Sequence, residues 1–91
     1  MNRQNETEKK KIGQFGWNKR KLRTLEIFQE AFPEALRPEA YARRIGKFPA
    51  RAAYSYLKRL ERWGLLVSLG KPIRYRITDK GRRRLAWLRS V

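Results

Sequence analysis

The chain has no cysteine and no histidine in 91 residues. Disulfides, zinc sites built on those ligands, thiol nucleophiles and imidazole bases are therefore all excluded. Acids are scarce too: the eight present are Glu6, Glu8, Glu26, Glu30, Glu34, Glu39, Glu61 and Asp79, and they are dispersed rather than clustered as a carboxylate metal site would need. The expectation is a protein that is not an enzyme, with no cofactor and no metal. No apolar run approaches the roughly 20 residues of a membrane span. The opening Met-Asn-Arg-Gln-Asn-Glu lacks the apolar core of a signal peptide, so the expected location is cytoplasmic.

What the chain has is positive charge. Lys and Arg number 24 against those eight acids, a formal net charge of +16. So large an excess repels itself unless an anionic partner is near, and nucleic acid is the natural one. A domain of this size buries only a modest core, which puts function on the surface rather than in an internal cavity.

Residues 1–16 are polar and charged, with Lys9, Lys10 and Lys11 in a row and no apolar period. They read as a flexible basic arm, either a solvated terminus or a strap on DNA backbone. Residues 17–91 read as the folded domain. Asn18 is a helix cap with Trp17 placed to staple over Leu22, and Leu22, Leu25, Phe28 and Phe32 mark one helical face that ends near Pro33. Pro38 and Glu39 suit the first turn of a second helix, with Tyr41, Ala42 and Ile45 on its apolar side and Gly46 as its stop. A third helix runs from about Ala50 to Trp63, with Ala53, Leu57 and Leu60 as its buried stripe and Tyr56 flanking. Leu65–Leu69 and Ile73–Ile77, joined by Gly70-Lys71-Pro72, read as a hairpin. Thr78 caps a last helix through about Arg89, whose Leu85 and Leu88 complete the core.

The segment Leu36 to Leu66 resembles the helix-turn-helix of winged DNA-binding regulators of the MarR, PadR and ArsR kind. Pro38, Glu39, Ala42, Gly46, Leu57, Lys58, Arg59, Leu60, Glu61, Gly64 and Leu65 carry the likeness. Tyr75-Arg76-Ile77-Thr78-Asp79-Lys80-Gly81-Arg82 is similar to the end of that family's wing and the start of its next helix. The resemblance implies a mainly α fold with a small β-hairpin: a three-helix core, a β-wing and a C-terminal helix. It further implies sequence-specific binding of double-stranded DNA, most often to regulate transcription.

Charge patterning leads to the same surface. From Tyr41 to Thr78 there are ten cations and one acid, Glu61, whereas a merely solvated surface mixes signs. With its stripe turned inward, the third helix offers Arg51, Tyr54, Ser55 and Lys58 as candidate base contacts, with Ala52 keeping that face narrow. Arg43, Arg44, Lys47, Arg59, Arg62, Lys71, Arg74 and Arg76 are candidates for the phosphate backbone. Lys19, Arg20 and Lys21 join them, because cations in the first turn of a helix oppose its dipole and a locally disfavoured choice often marks function; the alternative is plain solvated charge. One reading helix spans only a few base pairs, so a homodimer on DNA is expected, with Trp87, Leu88 and Trp63 as its interface. The tryptophans have an equal alternative, packing under the amino-terminal arm. Two rival functions stand beside the first: an architectural or RNA-binding protein insensitive to sequence, and a winged helix that binds a protein.

Overall fold

The computed structural model describes residues 16–46 and 49–91. Within them lie four helices and a two-stranded antiparallel hairpin, in the order α1 (Lys19–Ala31), α2 (Pro38–Ile45), α3 (Ala50–Arg62), β1 (Leu66–Leu69), β2 (Arg74–Ile77) and α4 (Asp79–Ser90). None of these helices is long and apolar enough to cross a membrane.

Local chemistry sets each boundary. Asn18 is extended and its Oδ1 accepts the Lys21 amide at 2.7 Å, satisfying one of the free N–H groups that open α1. Pro38 opens α2 where a missing N–H costs nothing, and Gly46 closes it at φ +74°, a left-handed conformation that suits glycine. At the end of α3, Gly64 takes φ +79° and the next amide, Leu65, returns to the Leu60 carbonyl at 2.9 Å. Thr78 does two things at once: its Oγ1 accepts from the Gly81 amide (3.0 Å) as the α4 cap and donates to the Gly64 carbonyl (2.6 Å).

The hairpin pairs Leu66 with Ile77, Val67 with Arg76, Ser68 with Tyr75 and Leu69 with Arg74. Its inner face therefore carries Leu66, Tyr75 and Ile77, all buried, and its outer face Val67, Arg74 and Arg76. A third segment reaches the hairpin from the connection between α1 and α2: Leu36 and Tyr75 exchange both backbone hydrogen bonds at 2.8 Å.

The core gathers Leu25, Ile27 and Phe28 of α1, Tyr41 of α2, the α3 stripe Ala53, Tyr56, Leu57 and Leu60, the hairpin side chains, and Leu85 and Leu88 of α4. Thr24 and Tyr41 share a buried hydroxyl hydrogen bond at 2.6 Å, and the Phe28 and Tyr41 rings meet with centroids 5.5 Å apart. α4 approaches the base of the hairpin so closely at Gly81 that a Cβ there would run into the carbonyl of Leu65, just before β1, and Ile77 Cγ1 of β2.

Phe32 departs from its expected place on the buried face of α1. The helix ends at Ala31, so the helical period no longer aims the ring inward; it is exposed, with the Arg82 guanidinium 4.6 Å from its centroid.

Candidate nucleic-acid interface

The outward face of α3 is positioned by what it buries. Ala53, Leu57 and Leu60 are fully enclosed, which turns Arg51, Tyr54, Ser55 and Lys58 to the exposed side together. Arg59 and Arg62 are exposed in the last turn, where the helix dipole favours cations. The one acid of the helix, Glu61, is half-buried and accepts a hydrogen bond from Ser68 of β1 at 2.5 Å, which holds its carboxylate on the hairpin side of the helix. Lys58 Nζ lies 5.6 Å from the centre of the Tyr54 ring. The polar reach of the face is thus concentrated in its first two turns.

The hairpin stands beside the start of this helix. Arg51 and Tyr54 share a shallow open cleft with Pro38 at the start of α2 and with Pro72 and Ile73 near the hairpin tip. Burial pushes the Tyr75 hydroxyl up to about 12, with Tyr54 alongside adding to the effect. Arg74 and Lys71 are exposed and Arg76 is half-buried. Arg43 and Arg44 are exposed in the last turn of α2, and Arg43 lines a second open cleft with Arg74. Lys47 lies outside the described residues, as does all of the expected amino-terminal arm but Gly16.

Three ion pairs occur among the described residues: Glu26 with Arg23 (3.7 Å), Glu26 with Arg89 (3.5 Å), and Glu39 with Arg37 (4.0 Å). None involves a cation of α3 or of the hairpin. Glu39, paired with Arg37, lines both clefts, so that surface is predominantly rather than uniformly basic.

The basic run at the start of α1 divides. Lys19 is exposed; Arg20 is half-buried with its guanidinium 4.0 Å over the Tyr56 ring, on the flank of α3. Lys21 cannot serve as a backbone contact, contrary to expectation. It is fully buried, its Nζ donates to the Gly16 carbonyl at 2.7 Å, and the ammonium sits 5.4 Å from the centre of the Trp63 ring. Desolvation, with Arg84 nearby, lowers its pKa to about 8. The reason is positional: residues 21, 24, 25 and 28 share one helical face, and that face is the buried one.

The expected self-interface also changes. Leu88 is spent in the protein's own core and cannot meet a partner. Trp63 is half-buried at the end of α3, while Trp87 remains 40% exposed. Trp17 is tied down, its indole N–H donating to the Leu88 carbonyl at 3.0 Å.

Sequence reasoning passed over the cations of α4. Lys80, Arg83 and Arg84 line one open cleft with Trp87, and their spacing of three and one residues, with Trp87 three further on, was the signal for a shared face. Among the described residues no group of three or more acids is gathered that could hold a metal ion. Set against known protein families, curated proteins and solved structures, the chain matches none.

Proposed function

We propose that this chain is a winged helix-turn-helix protein that binds double-stranded DNA in a sequence-specific way, as a transcriptional regulator in the cytoplasm. On this reading α3 enters the major groove and the hairpin is the wing on the adjacent backbone. One observation carries it: Arg51, Tyr54, Ser55 and Lys58 are all exposed on one side of α3, beside a hairpin that exposes Lys71 and Arg74, while Glu61 is bonded to Ser68. The order of the elements supports it too, because the Leu36 bridge adds the short third edge that roots a wing between α1 and α2.

The roles divide by chemistry. Arg51 and Lys58 can donate to guanine acceptors, Ser55 can pair with several base edges, and Tyr54 can offer its hydroxyl or pack on a thymine methyl. Arg43, Arg44, Arg59, Arg62, Lys71, Arg74 and Arg76, with Lys19 and Arg20, serve the phosphates, which position the protein and carry no direct sequence information.

The test is selection of duplexes from a random pool, followed by binding of variants to the preferred site and to its single-base changes. Arg74→Ala with Arg76→Ala weakens every duplex by a similar factor. Replacement of Arg51, Tyr54, Ser55 or Lys58 costs about 1–3 kcal/mol and relaxes preference at particular base pairs. With six to eight cations on phosphate, the logarithm of affinity falls against that of salt with a slope near −5 to −7. A selected duplex bound less than about tenfold better than random duplex, against the usual thousandfold, would favour the architectural or RNA-binding reading. A homodimer on DNA is a separate proposal, decided by sedimentation as one or two chains per selected duplex.

A further inference from the structure

Tyr75 carries a polar atom for which the fold itself has no use. The side chain is fully buried, and its hydroxyl is enclosed with no hydrogen-bond partner. A buried hydroxyl has given up its bonds to water, so one without a partner destabilises the fold until something completes it. The backbone that carries it is fixed on both sides: Tyr75 pairs with Ser68 of β1 and exchanges two hydrogen bonds with Leu36 at 2.8 Å. The ring therefore has a set position, and a partner must come to it.

Tyr54 is placed to be that partner. Its hydroxyl is near enough to raise the Tyr75 pKa, yet no hydrogen bond joins the two in the protein alone. Tyr54 is 37% exposed on the outward side of α3, in the cleft with Arg51, Pro72 and Ile73, so its side chain has room to turn. Glu61 also acts on Tyr75, but its carboxylate is held by Ser68. The direction of a bond between the two phenols follows from what each would leave unpaired. A phenol has one proton to donate. If Tyr54 donated it, the Tyr75 proton would stay enclosed with no acceptor. If Tyr75 donates, its own proton is satisfied and that of Tyr54 is left at the surface.

We propose that Tyr75 is a positioning residue for base reading: with duplex DNA on α3, its hydroxyl donates to that of Tyr54, which fixes the Tyr54 ring and commits its proton to a major-groove acceptor, purine N7, guanine O6 or thymine O4. The inference rests on the reading of α3 as the helix that enters the major groove. It makes Tyr54 a donor at one base pair rather than an adaptable contact.

The test compares the full chain as wild type, Tyr54→Phe, Tyr75→Phe and the double variant. Affinity is read by anisotropy on the selected duplex, its single-base changes and a random duplex, with thermal melts alongside. Tyr54→Phe relaxes preference at one base pair by about three- to tenfold, the effect of one hydrogen bond. Tyr75→Phe relaxes the same pair by a similar factor and leaves affinity for random duplex within about twofold, while the double variant loses no more than Tyr54→Phe alone, as expected of two groups that act as a unit. The melting temperature of Tyr75→Phe stays level with the wild type or rises, because the hydroxyl removed had no partner.

Unchanged preference in Tyr75→Phe overturns the proposal. So does relaxation at a different base pair, or a double variant whose loss is the product of the two single losses, which would make the hydroxyls independent. An equal fall on every duplex, random included, would reduce Tyr75 to a structural part, and a melting temperature several degrees below the wild type would show its hydroxyl already bonded in the fold; either result sinks the idea. Base analogues that delete the acceptors of the pair one at a time locate the contacted atom. If none of them removes the advantage of wild type over Tyr75→Phe, Tyr54 donates no proton there and the proposal fails. In each case, preference that still responds to Arg51→Ala and Lys58→Ala leaves the reading of α3 intact, whereas a wild type that prefers no duplex refutes that reading as well.

Discussion

Replacing Lys21 by Met keeps the length of the side chain and removes its charge, and the effect should be read as a function of pH. Folded, Lys21 has a pKa of about 8 against an ordinary 10.5, because burial penalises the ammonium. Between those values the unfolded chain holds more protons than the folded one, so stability rises with pH across that window and the penalty is fully felt below pH 8. Integrated from pH 7 to pH 9.5, the gain is at most about 2 kcal/mol. The upper end of the window is shared: burial raises the pKa values of Tyr41, Tyr56 and Tyr75, and each holds its proton longer in the fold than out of it. Those groups lower stability as pH climbs past 10, which is why the comparison stops at 9.5. Both proteins carry the same tyrosines, so the difference between them isolates Lys21. Thermal melts of wild type and K21M at half-unit steps should show the wild type gaining on the variant by up to roughly 8–16 °C over that range, taking 4–8 °C per kcal/mol for a domain of this size. Parallel pH curves would refute the reasoning and would mean that Lys21 keeps a water-like environment.

Leu57→Ala should cost about 2–5 kcal/mol in denaturant unfolding, whereas Phe32→Ala, past the end of α1 and exposed, should cost under about 1 kcal/mol; equal costs would contradict the placement of both. Gly81→Ala should destabilise by about 1–3 kcal/mol, since its Cβ meets a backbone carbonyl that cannot step aside, and a neutral result would show that α4 is free to lift off the base of the hairpin. Thr78→Ala loses both the cap of α4 and the bond to Gly64, for an expected 1–2 kcal/mol, roughly, by thermal melts; Thr78→Ser should recover most of it.

Much of the frame was legible because its signals are local. Asn18, Pro38, Gly46, Gly64 and Thr78 each act within a turn of their own position, and all bound the helices as expected. The α3 stripe followed from period alone. What escaped was tertiary. The charge of Lys21 points to the surface, although its spacing to Thr24, Leu25 and Phe28 puts it on the buried face. The Leu36 bridge is a pairing across about forty residues, made by one residue on each side, and no periodicity announces so short an edge. The indole N–H of Trp17 bonds the Leu88 carbonyl near the other end of the chain, a contact that no local pattern signals. The candidate base contacts all face solvent together; of the candidate phosphate contacts Lys21 alone is lost to the core, and Lys47 lies outside the described residues.

The two hydrogen bonds between Leu36 and Tyr75 give the hairpin a second root. A two-stranded ribbon joined only through its own strands could swing about its base. This one is stitched in mid-strand to the segment that leads into α2, and Tyr75 is at the same time a fully buried side chain. The gap between hairpin and α3 is therefore a fixed gauge, set when the chain folds. On the proposed reading the protein acts as a caliper: a duplex whose groove width suits the gauge is gripped without adjustment, and any other must be deformed to fit. Stiffness of the DNA at base pairs that no side chain touches then becomes part of what the domain selects.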